Sequence, residues 1–217
     1  MSSKTIFTIG RQFGSGGRKV GKMLSERLGI PFYDKELLTI AAKDSGLSEN
    51  LFKNADEKPS SSLLYSIAMG AYPMNSGSVG FNEMPLNDQL FLIQSKTIKK
   101  IASEGSCVII GRCADYVLRD YPHLVSAFIH APLDARVYRA IHTYEIDEDK
   151  AEDVCLKSDK TRASFYNYYS DQKWGMCRTY DLSLDSSKLG IEGCVDIIVK
   201  YSKIYDNHLE KLGIRIG

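Results

Sequence analysis

Apolar positions along the chain fall into two alternating rhythms, short β-branched runs and longer stretches with helical spacing. Thr5-Ile-Phe-Thr-Ile9 is such a run and stops at Gly10, the pattern of a strand buried on both faces. A Gly-rich turn follows. Val20, Met23, Leu24 and Leu28 then recur on one helical face up to Gly29, a helix stop. Pro31-Phe-Tyr-Asp34 predicts a shorter second strand that runs into a helix over Lys35 to Lys43. A third strand is predicted at Cys107-Val-Ile-Ile110, preceded by a helix carrying Leu90, Ile93, Ile98 and Ile101. The fourth spans Val125 to Ile129, with Pro132 opening a helix that carries Leu133, Val137 and Ile141. The fifth spans Asp181 to Leu184. A helix with Ile191, Val195, Ile198, Tyr205, Leu209 and Leu212 follows it. Strands separated by helices in this way require crossover connections. The expected architecture is a three-layer α/β fold, a parallel five-stranded sheet with helices on both faces. Ligands of such sheets bind at the carboxyl ends of the strands, so candidate site residues are sought just after each one.

Two stretches break the rhythm. Residues 54 to 88 contain Glu57-Lys-Pro-Ser-Ser-Ser62 and Asn75-Ser-Gly-Ser-Val-Gly80, rich in turn formers, and read as a lobe inserted between the second and third strands. Residues 145 to 180 begin acidic, with Glu145, Asp147, Glu148, Asp149, Glu152 and Asp153, and then turn basic and aromatic. The acidic run reads as a solvated face.

Composition narrows the classes of function. The 217 residues are 43% hydrophobic and 25% charged, as in an ordinary globular protein, and the formal charge is +1 from 28 basic and 27 acidic residues. That balance predicts no nucleic-acid partner. The first apolar run, Ile6 to Ile9, is too short for a signal-peptide core, and no uninterrupted apolar stretch approaches the ~20 residues that cross a membrane. The five cysteines, at 107, 113, 155, 177 and 194, form no Cys-x-x-Cys pair, which predicts free thiols in a reducing cytoplasm. The histidines at 123, 130, 142 and 208 show no ligand spacing, so no metal cage is expected.

The loop after the first strand carries the clearest chemistry. In Gly10-Arg-Gln-Phe-Gly-Ser-Gly-Gly-Arg-Lys-Val-Gly21, Gly14, Ser15, Gly16 and Gly17 let backbone N–H groups converge on an anion, with the positive end of a helix behind them. Arg11, Arg18 and Lys19 add full positive charges. The Walker form G-x-x-x-x-G-K-[ST] is not met. With Gly16 as its second glycine, Gly17 stands where the Lys belongs and Arg18 where the Mg²⁺-binding Ser/Thr belongs. A dinucleotide fingerprint competes, because Asp34 falls about 20 residues on, but G-x-G-x-x-G fails at Lys19. The cations favour a polyphosphate.

After the other strands stand further candidates. Arg112 directly follows the third strand, where a planar guanidinium could hold two phosphate oxygens or form a surface or structural salt bridge. Asp34 and Asp115 could hold Mg²⁺, accept hydrogen bonds from a base or sugar, or cap helices. Arg136 and Arg139, at i and i+3, share a helix face that points either at phosphate or at solvent. Lys160 and Arg162 lie in the basic stretch. The aromatic group Phe165, Tyr166, Tyr168, Tyr169 and Trp174 reads as core packing.

At these residues the sequence resembles the cytidylate kinase-like family, a branch of the P-loop nucleoside monophosphate kinases. The resemblance rests on Ile9-Gly-Arg-Gln-Phe-Gly-Ser-Gly-Gly17, Leu28-Gly-Ile-Pro-Phe-Tyr-Asp34, Ile109-Ile-Gly-Arg-Cys-Ala114 and Tyr180-Asp-Leu-Ser-Leu184. It implies a P-loop NTPase fold in three parts: a core over 1–53, 106–144 and 180–217, an acceptor lobe over about 54–105, and a short lid over about 145–179. It also implies ATP on the loop and Mg²⁺ as cofactor. Arg112 resembles the arginine that contacts the acceptor phosphate, and Arg162, in Asp159-Lys-Thr-Arg162, the lid arginine that covers the phosphates. The expected activity is ATP-dependent phosphoryl transfer to a small acceptor, CMP or dCMP as the family name suggests. The expected catalytic residues are Arg18, Lys19 and Arg162, with Asp34, Arg112, Asp115, Lys160 and Arg162 on the acceptor. The alternatives are a kinase of a different small metabolite and a nucleotide-binding sensor that does not catalyse. Unlike ordinary members, the chain has no loop Lys and no following Ser/Thr.

Overall fold

The computed structural model describes residues 4–55 and 84–213. The first apolar run forms β1 (Ile6–Arg11), the centre of a five-stranded sheet. With β2 (Phe32–Tyr33), β3 (Cys107–Ile110), β4 (Leu124–His130) and β5 (Leu182–Asp185), the spatial order is β2-β3-β1-β4-β5 and every pairing is parallel. Ile6 pairs with Cys107 on one side and with Leu124 on the other, which places the carboxyl ends of β1, β3 and β4 side by side. The chain leaves β1 toward β3 and later returns to its other side with β4. That reversal opens a crevice at the end of β1.

Because successive strand residues point to opposite faces, β3 feeds two cores. Val108 and Ile110 join Phe7 and Ile9, under Val20 and Leu24 of α1 (Gly17–Leu28) and Val195 and Ile198 of α8 (Ser186–Lys211). Cys107 and Ile109 join Ile6 on the other face. There they meet Leu37 of α2 (Glu36–Ser45) and Ile98, Ile101 and Ala102 of α4 (Leu86–Glu104). Val20, Leu24, Ile98 and Ile109 are wholly buried, and removing each such side chain from water contributes about 1.5–3 kcal/mol. α4 therefore packs in the layer that covers this face of the sheet. The short α3 (Glu49–Ala55) packs its Phe52 against α2. The turn-former segments 57–62 and 75–80 lie outside the described residues.

The remaining helices frame the crevice. α5 (Ala114–Val117) follows β3, and α6 (Leu133–Tyr144) follows β4 behind Pro132. α7 (Glu148–Tyr169) is one helix of 22 residues running through the acidic, basic and aromatic stretches alike. Its inward positions are Ala151, Cys155, Phe165, Tyr166 and Tyr169. The last three close a cluster with Cys113, packed by Phe91 and Trp174. A single 3-10 turn (Cys177–Thr179) leads into β5. α8 is broken at Gly190, whose φ of 68° interrupts the helix one turn after its start. Among the described residues, no helix is long and apolar enough to cross a membrane.

Candidate functional site

The loop from β1 to α1 is bent by two left-handed glycines, Gly14 at φ 74° and Gly16 at φ 79°. Neither position tolerates a side chain. A Cβ on Gly14 would lie 2.6 Å from the Arg136 carbonyl oxygen, and one on Gly16 would lie 2.6 Å from Ile191 Cδ1. Gly17 has ordinary backbone angles but no room, since a Cβ there would stand 2.5 Å from Arg11 Cβ. The loop is held from within by Ser15, whose buried hydroxyl donates to the Gln12 carbonyl at 2.8 Å. From outside it is held by Ser186, whose hydroxyl donates to the Ser15 carbonyl at 2.6 Å. No protein acceptor among the described residues takes the N–H of Gly14 or Gly16. Those donors and the first turn of α1 form a cradle for an anion.

Guanidiniums close on this cradle from three sides. Arg18, one residue into α1, donates through Nε to Asp34 Oδ2 at 2.6 Å. Arg112 donates through Nη1 to Asp34 Oδ1 at 3.3 Å and to the Ile110 carbonyl at 3.2 Å. Burial opposes ionisation of Asp34, but hydrogen bonds and charge from Arg18 and Arg112 overcome it and hold the carboxyl below its usual range. Turning Arg112 back over the end of β3 takes three consecutive left-handed residues, Gly111 (φ 66°), Arg112 (57°) and Cys113 (55°). For the two that are not glycine this costs about 1–2 kcal/mol each. Backbone strain is thus concentrated where a buried cation faces the crevice.

α6 and α7 brace the loop from above. Arg136, 5% exposed, donates to the carbonyls of Ala131 (3.0 Å) and Phe13 (3.2 Å) and to Asp159 Oδ2 (2.7 Å). Asp159 Oδ1 accepts from the Phe13 N–H at 2.7 Å, so one ion pair grips both polar groups of a loop residue. Burial raises the Asp159 carboxyl above its usual range despite these donors. Arg139 donates to the Gly14 carbonyl. Arg162 reaches from α7 to the Arg11 carbonyl at 3.4 Å, with its guanidinium 5.8 Å from the Phe13 ring centre.

Together these residues line an open cavity of about 380 Å³ whose walls include Arg11, Gly14, Gly16, Gly17, Arg18, Asp34, Lys35, Arg112, Tyr144 and Arg162. A smaller recess of about 20 Å³ continues past Arg11, Arg112 and Arg162 to Asp115, Tyr166, Trp174 and Tyr180. In it Tyr166 donates to Asp115 Oδ2 at 2.6 Å. Burial pushes the Asp115 carboxyl up to about 6 and raises the Tyr166 and Tyr180 phenols.

The structure thus brings together Arg11, Gly14, Gly16, Gly17, Arg18, Asp34, Arg112 and Arg162 around one cavity, with Asp115 next door. Ser15 is buried beneath the loop, while Lys19 and Lys160 are exposed and line neither cavity. Nothing in the sequence pattern marks Lys35, Phe13 or Tyr144 as wall residues, and Arg136 and Arg139, open there to phosphate or solvent, both donate to loop carbonyls. The only linear signal for that pair was two cations sharing a helix face that is also apolar.

The model of the "Cytidylate kinase-like family" matches residues 6–188. No curated protein matches the chain. Among solved structures, an uncharacterized protein from Eubacterium ventriosum ATCC 27560 is 32% identical, with a TM-score of 0.69 over 92% of this chain and 99% of that one. Shikimate kinase from Bacteroides thetaiotaomicron is 14% identical (TM-score 0.51, covering 92% and 98%). A gluconokinase from Sinorhizobium meliloti 1021 is 12% identical (TM-score 0.52, covering 96% and 99%). These two show the fold, that of the P-loop kinases.

Proposed function

Because the chain belongs to the cytidylate kinase-like family, we propose that it transfers a phosphoryl group from ATP to a small acceptor, a nucleoside monophosphate of the CMP or dCMP type. The observation that carries this reading is the convergence of Arg11, Arg18, Arg112 and Arg162 on a glycine cradle at the crevice of the sheet. Phosphoryl transfer asks the protein chiefly for positioning and for positive charge around the transferred group. Backbone N–H groups of the loop hold the donor phosphates. Arg11 packs into the space a side chain at position 17 would need, and takes the role the missing loop Lys plays elsewhere. Arg112 binds the acceptor phosphate bidentately. Arg162, tied to the loop through the Arg11 carbonyl, covers the reacting oxygens and keeps water out. Asp34 orients Arg18 and Arg112. Asp115 and Tyr166 contact the acceptor's polar end, while Lys19 and Lys160, exposed and outside both cavities, contribute charge only at longer range. An acceptor phosphate oxygen attacks the γ-phosphorus as the bond to ADP breaks, so each turnover yields ADP and a diphosphate. The free thiols fit a cytoplasmic protein.

ATP phosphates fit the cradle. A protein-held Mg²⁺ does not. The place of the metal-binding hydroxyl is taken by Arg18, whose guanidinium has no lone pair for a metal.

A second reading, a nucleotide sensor without turnover, is favoured by Gly17 itself, where no Lys can be accommodated. ADP release measured across a panel of nucleoside monophosphates, beside ATP titration by calorimetry, separates the two. Turnover with CMP or dCMP is expected. ATP binding with no turnover on any acceptor selects the sensor.

A further inference from the structure

The cavity's charge pattern, taken with the nucleotide reading above, bears on what form of phosphate it accepts. In the Walker loop a Ser/Thr hydroxyl at the head of the helix ligates Mg²⁺. Here that position is Arg18, whose guanidinium offers donors and no lone pair to a metal. The nearby hydroxyl of Ser15 is buried and donates to the Gln12 carbonyl. Three carboxylates stand close enough to matter, and each is committed to protein donors. Asp34 has one oxygen on Arg18 and the other on Arg112. Asp159 has one on the Phe13 N–H and the other on Arg136. Asp115 accepts from Tyr166. Freeing Asp34 or Asp159 for a cation would strand a buried arginine or a loop N–H, and freeing Asp115 would take the acceptor from the Tyr166 hydroxyl.

We infer that this site binds polyphosphate as the free anion, its charge met by the guanidiniums of Arg11, Arg18, Arg112 and Arg162, and that Mg²⁺ on the phosphate competes with the site instead of completing it. The metal cancels negative charge that the arginines are placed to meet, and occupies oxygens they would otherwise bind. A loop with a hydroxyl ligand has the opposite sign: there Mg²⁺ tightens binding.

The test is calorimetric titration of the full chain with ATP and with inorganic tripolyphosphate, each in EDTA and in excess Mg²⁺ at constant ionic strength. Both ligands are expected to bind up to about tenfold more tightly in EDTA than in Mg²⁺, and equal affinity in the two buffers overturns the inference. Arg18→Thr supplies the hydroxyl at a largely exposed position but releases one oxygen of buried Asp34, so its folding is checked by circular dichroism. It is expected to weaken metal-free binding about tenfold and to make Mg²⁺ favourable for ATP. ATP binding that needs Mg²⁺ in the wild-type chain overturns the inference and leaves the kinase reading standing. Tripolyphosphate binding in EDTA, with no ATP binding in either buffer, supports the inference and removes the nucleotide reading. Failure of both ligands in both buffers removes both. An Arg18→Thr chain with the wild-type metal response also overturns the inference.

Discussion

Replacing Arg136 by alanine tests whether the loop is held by the ion pair above it. The Arg136 and Asp159 side chains are 6% and 14% exposed and meet at 2.7 Å. Removing one partner leaves the Asp159 carboxylate buried beside the Phe13 N–H alone, and breaking a buried pair in this way costs about 3–5 kcal/mol. The truncation also strips donors from the carbonyls of Ala131 and Phe13. At about 2–4 °C per kcal/mol for a chain of this size, the melting temperature should fall by about 6–20 °C. Asp159→Asn should be milder, about 1–2 kcal/mol, because the amide oxygen can still accept from Phe13 N–H. Lys150→Ala, which breaks an exposed pair with Asp147, serves as the control and should change stability by less than about 0.5 kcal/mol. The assay is equilibrium urea unfolding followed by the fluorescence of Trp174 and by circular dichroism, with coincident transitions required. A loss for Arg136→Ala no larger than the control's would refute the bracing role.

Three further outcomes are expected. Gly17→Ala should weaken tripolyphosphate binding at least about tenfold, because its Cβ would stand 2.5 Å from Arg11 Cβ and the loop must shift. Wild-type affinity in a calorimetric titration would contradict that. Asp115→Asn should be neutral near pH 3 and stabilising by about 2–3 kcal/mol at pH 7.5. The wild-type carboxyl, raised from 3.8 to about 6 in the folded state, contributes its full stability below the unfolded value and loses it as pH rises through 6. Urea midpoints at the two pH values decide it, and a pH-independent difference counts against the buried carboxyl. Arg112→Lys should lower kcat/KM for the acceptor about a hundredfold while leaving ATP affinity within about threefold, since an ammonium cannot bind two oxygens in a fixed fork. Equal losses of both would remove the acceptor role.

The sheet was legible because its strands are short β-branched runs closed by glycine, proline or aspartate, and because helical spacing between them is strong. β3 emerged with the boundaries its sequence predicts, Cys107–Ile110, and β5 shifted by one residue to Leu182–Asp185. α7 was harder to see as one helix. Its inward face through the charged stretch is made of Ala151 and Cys155, too small to mark a period among so many charges. The glycines and arginines of the first loop announced an anion site, since only glycine supplies left-handed turns at no steric cost. The pairings that organise that site were hidden. Arg18 with Asp34 spans 16 residues and Arg136 with Asp159 spans 23, and nothing local in either segment reports the contact. Arg112 was legible by its place after β3, but the left-handed turn through Cys113 that buries it has no sequence mark. Gly17 reads only as a missing lysine until the structure places Arg11 in the space beside it.

The measurement that bears most directly on the central claim is the fate of the γ-phosphate. Wild-type protein is incubated with γ-labelled ATP and either CMP or dCMP, and the products are separated. Label is expected on the diphosphate of the acceptor, in amounts matching ADP, with loss of that product in Arg112→Ala. Label found only in inorganic phosphate, or none released while ATP binds, would contradict phosphoryl transfer to these acceptors.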